Sequence, residues 1–491
     1  MPNAFCGLPG RTLEDASASE LHPLVIDLNG TLLRTDIVFE MFWSALSRNW
    51  TNIYAIGRSC LKGRAAVRQV LQELGPVDPV RLPYDQDVLD LIARRRAQGT
   101  RIVLVSTCDK AVLEPISAHL ETIDEVHGFD GTHDAEGESK ARDLVTRYGR
   151  GGYVYVGDSA ADLPVWRDAA FAVTVGVRPG LGARVVKMGS KVETLGSDRT
   201  PFRAMIKAIR PHQWAKNVLV FLPMLMAHQL NFVTLGQATL AFVCYCLIAS
   251  SVYLLNDLLD LEADRAHPRK CRRPFASGSA SLAWGTVLAP ALLILGLGLA
   301  LLLGLTFAAV MLGYFAATTM YSFYLKRVLV ADICTLAGLY TLRIIAGGIA
   351  TGVPLSVWLL AFSMFFFFSL AAMKRQTELV AGAASGNKRI KGREYATSDL
   401  PLVANMAVSS GLVSVLVMAL YLNTDNVRVL YEWRAPLWAI CLILLFWINR
   451  MVMIAHRGWM DDDPVVFASR DYVSLVCASL IAVCALMGAV L

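Results

Sequence analysis

Asn256, Asp257, Asp260 and Asp264 close one strongly apolar segment, just before the basic run His267-Pro-Arg-Lys-Cys-Arg-Arg273. A spacing of four places residues 256, 260 and 264 on one face of a helix, with Asp257 beside them. Three carboxylates and a carboxamide at a membrane edge are costly to hold together unless they bind something positive. A divalent cation carrying a phosphorylated substrate meets that requirement, so these residues point to an enzyme rather than a scaffold. Asp332 and Arg343 lie eleven apart inside another apolar segment, three helical turns, and so share a face. Charge in such a place is either paired or functional.

A second set of polar residues collects at strand ends nearer the N-terminus. Leu24-Val25-Ile26 reads as a strand ending in Asp27-Leu-Asn29-Gly-Thr31. Arg101 to Val105 ends in Ser106-Thr107, and Tyr153 to Val156 ends in Gly157-Asp158-Ser-Ala-Ala-Asp162. Helical stretches around 85–98 and 139–148, the latter carrying Lys140, separate the strands. Strands alternating with helices predict an α/β, Rossmann-like domain whose parallel sheet gathers its chemistry at the carboxyl ends. Residues 36–80, rich in aromatics, read as a helical insertion able to cap that edge.

The elements that must position the aspartates are of another kind. Of 491 residues 55% are hydrophobic and 18% charged, and most of the charge falls before about residue 216. Nine apolar segments follow, at 217–234, 237–256, 283–303, 306–323, 328–348, 354–373, 402–421, 435–454 and 472–490. Each is close to the ~20 residues that cross the hydrocarbon, which predicts an all-α polytopic membrane domain of nine transmembrane helices. Basic residues crowd the loops after the second, fourth, sixth and eighth segments, and the positive-inside rule assigns these to the cytoplasm. Met1 to Glu20 lacks the apolar core of a signal peptide, so the first domain is expected on that same side, at the cell's inner membrane. Three parts follow: a domain over 1–199, an amphipathic linker over 200–216 with Arg203, Lys207 and Arg210, and a membrane domain over 217–491. The ten cysteines show no metal-ligand spacing and read as reduced. A net charge of +6, its basic residues clustered between membrane segments, argues against nucleic-acid binding. Oligomeric state leaves no mark in the sequence.

The first domain resembles the haloacid dehalogenase-like phosphohydrolases. The resemblance implies that Asp27 is an aspartyl nucleophile, Ser106 (or Thr107) the phosphate-binding hydroxyl, and Lys140 the positive clamp, with Asp27, Asp158 and Asp162 around Mg²⁺. It departs at Asn29, where these phosphatases usually carry a second aspartate as general acid and base. An amide cannot deliver or accept that proton, which leaves two roles for the domain, a slow or specialised phosphatase or a non-catalytic binding or structural domain.

Residues 203–491 resemble the UbiA-type membrane prenyltransferase superfamily, typified by 4-hydroxybenzoate polyprenyltransferase. Asn256-Asp257-x-x-Asp260-x-x-x-Asp264 is similar to its first diphosphate-binding motif. Asp332-Ile-Cys-Thr-Leu336 keeps only the first aspartate of the second motif. With Lys216-Asn217, His267-Pro-x-Lys270, Arg273-Pro274, Lys326 and Arg343-x-x-Ala-Gly-Gly348, the resemblance is closest to the decaprenyl-phosphate phosphoribosyltransferase branch. It implies Mg²⁺-dependent transfer of 5-phosphoribose from phosphoribosyl pyrophosphate to a polyprenyl phosphate in the cell envelope. Asp257, Asp260 and Asp332 would be the catalytic carboxylates, and Asp257, Asp260 and Asp264 the metal ligands. Lys216, Asn217, Asn256, Lys270, Arg273, Lys326 and Arg343 would bind the two phosphorylated substrates. The other reading is an aromatic or quinone-precursor prenyltransferase with a polyprenyl diphosphate donor, in which half of these cations have no assigned task.

Overall fold

The computed structural model describes residues 22–128, 136–189, 191–196, 201–386, 388–390, 393–424, 427, 431, 433–460 and 463–490. The chain divides into two compact units. One takes in the chain through Ile209 together with Leu254–Leu288; the other is Arg210–Tyr253 with Ala289–Leu491.

The first unit is built on six parallel strands: β1 (Leu24–Asp27), β2 (Ile102–Ser106), β3 (Glu125–Gly128), β4 (Val154–Gly157), β5 (Phe171–Val175) and β6 (Lys191–Leu195). Their order is β3-β2-β1-β4-β5-β6, so the sequence of strands reverses at β1 and opens a crevice beside its carboxyl end. Register sets Asp27 opposite Val105 on β2, and Ile26 opposite both Leu104 and Val156. Alternation along the strands fills two cores: Leu24, Ile26, Ile102 and Leu104 bury on one face, Val25, Val103 and Val105 on the other. The expected insertion is helical: α1 (Ile37–Arg48), α2 (Asn52–Cys60) and α3 (Arg64–Leu74). Asp36 caps α1 by accepting from Val38 N at 2.8 Å. The sheet is covered by α4 (Gln86–Ala97), α5 (Lys110–Leu120), α6 (Glu136–Tyr148), α7 (Leu163–Asp168) and α8 (Pro179–Lys187), and the linker is a helix, α9 (Pro201–Ile209).

Eight helices among the described residues are long and apolar enough to cross a membrane. The expected first segment, 217–234, is not a ninth long helix. A 3₁₀ stretch (Pro211–Phe221) passes into the short α10 (Leu222–Met226), and the chain turns at His228 with φ 53°. Pro211 and Pro223 each sit in a first turn, where a missing N–H costs nothing. The eight are α11 (Phe232–Leu259) and, after the short α12 (Leu261–Arg265), α13 (Leu282–Leu302), α14 (Leu305–Phe323), α15 (Ala331–Thr351), α16 (Val357–Ala384), α17 (Leu400–Leu422), α18 (Ala435–His456) and, beyond the short α19 (Pro464–Ala468), α20 (Tyr472–Val490). In the second unit α15 to α18 share the larger apolar core, including Ile344, Phe367, Val403 and Ile448. A second core joins the middle of α11 to α13, α14 and α15 through Ile248, Ala300, Phe307 and Leu339.

Candidate functional site

In the first unit, the turn after β1 brings Asp27 against α6. Lys140 Nζ donates to Asp27 Oδ1 at 2.9 Å and to the Tyr155 hydroxyl at 3.1 Å, and lies 3.5 Å from Asp162 Oδ1. Tyr155 donates to Asp162 Oδ1 at 2.9 Å, while Ser159 N and Oγ both reach Asp162 Oδ2 at 3.1 Å. Thr31 Oγ1 donates to Asp158 at 3.3 Å. Gly30 has φ +72°, and a Cβ there would stand 2.2 Å from Asp158 Oδ2, so only glycine lets the turn come this close. Burial lifts the Asp27 carboxyl to about 6, against the pull of Lys140. Burial disfavours the Lys140 ammonium as well, but Asp27 and Asp162 outweigh it and hold the group protonated. Asp27, Asp158 and Asp162 offer carboxylate oxygens within 4.8 Å of one another, a hard-donor set that fits a small divalent cation. Ser106 ends the neighbouring strand, and its Oγ accepts from Cys108 N at 3.2 Å, which keeps its own O–H for an anion. Asn29 Oδ1 accepts from Ile37 N at 3.0 Å, so its carbonyl oxygen serves the start of α1.

The same unit holds the aspartate-rich segment. α11 ends at Leu259, Asp260 joins it to α12, and i→i+4 bonds continue through the joint, from Asp260 N to Asn256 O at 2.9 Å and from Asp264 N to Asp260 O at 2.7 Å. The helical path therefore survives a change of helix. Asp257 and Asp264, two turns apart and buried, meet on Arg273 Nη1 at 3.1 and 2.7 Å. Burial raises the Asp264 carboxyl while Arg273 opposes it. Asn256 and Asp260 are half-buried, and Lys270 is exposed in a 3₁₀ turn with Cys271 and Arg272. Asp257 and Asp264 are thus ion-paired to Arg273, and the described carboxylates whose oxygens lie close enough together for a metal are those of Asp27, Asp158 and Asp162.

In the second unit three charged clusters surround α15. Asp332, expected among the reacting groups, is fully enclosed at the start of that helix. Arg375 Nε lies 2.8 Å away, the Tyr395 hydroxyl donates at 2.7 Å, and Arg393 approaches to 3.4 Å. Glu378 pairs with Arg375 and, at 2.9 Å, with Arg393. Arg343, three turns on, makes no pair with Asp332. Its Nε donates to Asn217 Oδ1 at 2.9 Å, Nη1 to Leu339 O at 2.6 Å and Nη2 to the Tyr314 hydroxyl at 3.1 Å. Its guanidinium also lies over the rings of Tyr245, Tyr314 and Tyr340 at 5.2–5.6 Å. Third, Lys216 and Lys374 converge on Asp463, Lys374 at 3.4 Å. The other oxygen of Asp463 caps α19 through Val465 N and Val466 N. Burial pushes the Lys216 ammonium down to about 8. At Asp463 burial is overcome by Lys374 and Lys216, which hold its carboxyl well below the usual range. Lys326 lies in the 3₁₀ turn after α14, where its carbonyl accepts from Arg393 at 3.4 Å.

Several partners are not apparent from the sequence. Tyr155 alternates with Tyr153 along a buried strand, and a buried tyrosine needs an acceptor; that pattern is its only trace. Lys374 and Arg375 read as loop cations, yet α16 runs on to Ala384 and buries Arg375 completely. The i,i+3 spacing of Arg375 and Glu378 is the local sign of that continued helix.

These features define a multi-pass membrane transferase of the prenyltransferase type joined to a phosphohydrolase-like domain. The chain belongs to the UbiA prenyltransferase family, which matches residues 217–489, over half its length. Residues 24–167 match the haloacid dehalogenase-like hydrolases. The protein y4nM of Sinorhizobium fredii is 36% identical over 94% of this chain and 90% of its own length. A decaprenyl-phosphate phosphoribosyltransferase of Mycolicibacterium smegmatis is 34% identical over 57% of this chain and 90% of its own. A solved UbiA homolog from Archaeoglobus fulgidus, bound to DMAPP and Mg²⁺, is 17% identical with a TM-score of 0.44, over 58% of this chain and 99% of that one.

Proposed function

We propose that the protein transfers 5-phosphoribose from phosphoribosyl pyrophosphate to a polyprenyl phosphate, with Mg²⁺, at the cytoplasmic face of the inner membrane. The observation that carries this reading is the sign of the charge in two clusters. In the aspartate-rich segment two of the three aspartates gather on one guanidinium while Glu262 pairs with Arg81, a surplus of carboxylate that suits a divalent cation. Among the described residues, two ammonium groups gather on the carboxylate of Asp463, the balance that suits a phosphate. Two phosphorylated substrates use both kinds of cluster, and the relative named as a phosphoribosyltransferase supports the choice of donor.

Asp257, Asp260 and Asp264 hold the metal of the donor diphosphate, and Asn256 and Arg273 steady its oxygens. A bound divalent cation offsets the charge that collects on departing pyrophosphate. Lys216, Lys374 and Lys270 hold the remaining phosphates, Lys216 and Lys374 exchanging Asp463 for substrate oxygen. Asn217 and the surrounding tyrosines fix Arg343, while Asp332 fixes Arg375 and Arg393.

The phosphohydrolase-like pocket keeps a nucleophile, a clamp and a metal set, and we assign it phosphate binding with slow hydrolysis of the product's 5-phosphate. The test is a crossed substrate assay in detergent. Radiolabelled phosphoribosyl pyrophosphate with polyprenyl phosphate yields a lipid-extractable product that needs Mg²⁺ and disappears in Asp260→Ala. Product formed only from a prenyl diphosphate and an aromatic acceptor would replace this reading with aromatic prenylation.

A further inference from the structure

The chain just beyond Asp27 reaches the segment that carries the aspartates, all within the first unit. Arg265 ends α12, one residue after Asp264. Its Nη1 and Nη2 donate to the two carboxylate oxygens of Glu40 at 2.9 and 2.6 Å, and its Nε to Ala276 O at 3.0 Å. Glu40, in the first turn of α1, also accepts from Thr35 Oγ1 at 2.6 Å. The two ion-paired side chains are only 9% and 3% exposed. Nearby, Trp43 Nε1 donates to Thr286 Oγ1 at 2.9 Å. At Gly278, φ +70°, a Cβ would stand 2.6 Å from Arg34 Cβ, so the returning loop is fitted to the Gly30–Thr35 turn.

This contact differs from casual surface docking. A solvated ion pair leaves the angle between its partners loose. A forked guanidinium–carboxylate pair out of water fixes it, and breaking such a pair strands a buried charge. The loop is held at two points, Arg265 on Glu40 and Arg273 on Asp257 and Asp264. Asn29 belongs to the same frame: its side chain holds the start of α1, the helix that presents Glu40.

We propose that Glu40 and Arg265 are positioning residues, through which the phosphohydrolase-like domain braces the Asp257–Asp264 segment whether or not it turns over a phosphate of its own. The inference rests on the reading of that segment as the donor's metal site. The brace accounts for a retained domain whose acid–base position has become a helix contact.

The test uses the full chain in detergent and three variants: Glu40→Gln, Glu40→Asp, and the exchange Glu40→Arg with Arg265→Glu. Hydrogen exchange is read over residues 261–276 against strands β1 and β2, and steady-state kinetics separate KM for phosphoribosyl pyrophosphate from kcat. Glu40→Gln is expected to speed exchange in 261–276 alone and to raise the donor KM about tenfold, with kcat changed less than about twofold. The charge exchange brings both back toward wild type. Should Glu40→Gln fail to fold, Glu40→Asp, which keeps the charge and shortens the bridge, is expected to show the same changes in smaller measure. Unaltered exchange and KM in the folded variants, or a fall in kcat at constant KM, overturns the proposal. If wild-type protein leaves this donor untouched, the proposed function fails, and the exchange measurement by itself still decides whether Glu40 braces the segment.

Discussion

Two acidic sites on long apolar helices have opposite characters. Where α11 passes into α12, four carboxylates lie within eight positions; Glu262 pairs with Arg81, and Asp257 and Asp264 converge on the guanidinium of Arg273. At the start of α15, Asp332 and Glu378 meet Arg375 and Arg393, two charges of each sign, with Tyr395 completing the enclosure. A balanced, enclosed network holds helices and loops in place. Under the proposed function, the surplus of one sign at the α11–α12 joint serves a ligand. Motif similarity treats both sites as reactive; their ion-pair partners differ.

The largest effect should come from breaking the balanced site. Asp332→Ala leaves the buried Arg375 and the half-buried Arg393 with one carboxylate and is expected to cost about 3–5 kcal/mol of stability. It should appear as a lower thermal midpoint in detergent, with turnover per folded molecule largely kept. Loss of turnover with unchanged stability would put Asp332 in the chemistry. Asp260→Ala should do the reverse, lowering kcat/KM for the donor about 10²–10³-fold with the melting curve unmoved.

Asn29 sharpens the contrast, since its side chain holds the start of α1 where the resemblance to the phosphohydrolases expects an aspartate. Asn29→Asp keeps an acceptor for Ile37 N and restores a proton carrier. Phosphate release from a phosphomonoester should rise about 10²-fold or more, and no rise would mark the pocket as binding only. The smallest effect belongs to Lys216. With its ammonium pushed by burial to about 8, it is cationic below that pH and neutral above it. Affinity for the anionic substrates should therefore fall as pH rises through about 8, by roughly tenfold at most. Lys216→Arg should abolish that midpoint.

Much of this was legible along the chain because it is local. β1, β2 and β4 announce themselves by short β-branched runs that stop at Asp27, Ser106 and Asp158, and the aspartates near 260 by their spacing. What escaped depends on distance or on boundaries. Glu40 and Arg265 are 225 residues apart, and neither position is unusual alone. Arg375 looks like a loop residue because the apolar run stops at Met373, although hydrogen bonding carries α16 eleven residues further. The first apolar segment, 217–234, has the composition of a membrane helix, but the chain there runs from 3₁₀ turns into the short α10 at Pro223, a change that hydropathy cannot distinguish.

The most direct measurement is donor binding to full-length protein with and without Mg²⁺, comparing wild type with the Asp257→Asn, Asp260→Asn, Asp264→Asn triple variant in an Asp27→Ala background that silences the other metal set. The account predicts Mg²⁺-dependent binding of phosphoribosyl pyrophosphate that weakens at least about 100-fold when the three carboxylates are neutralised. Equal affinity in the two proteins, or binding indifferent to Mg²⁺, would contradict it.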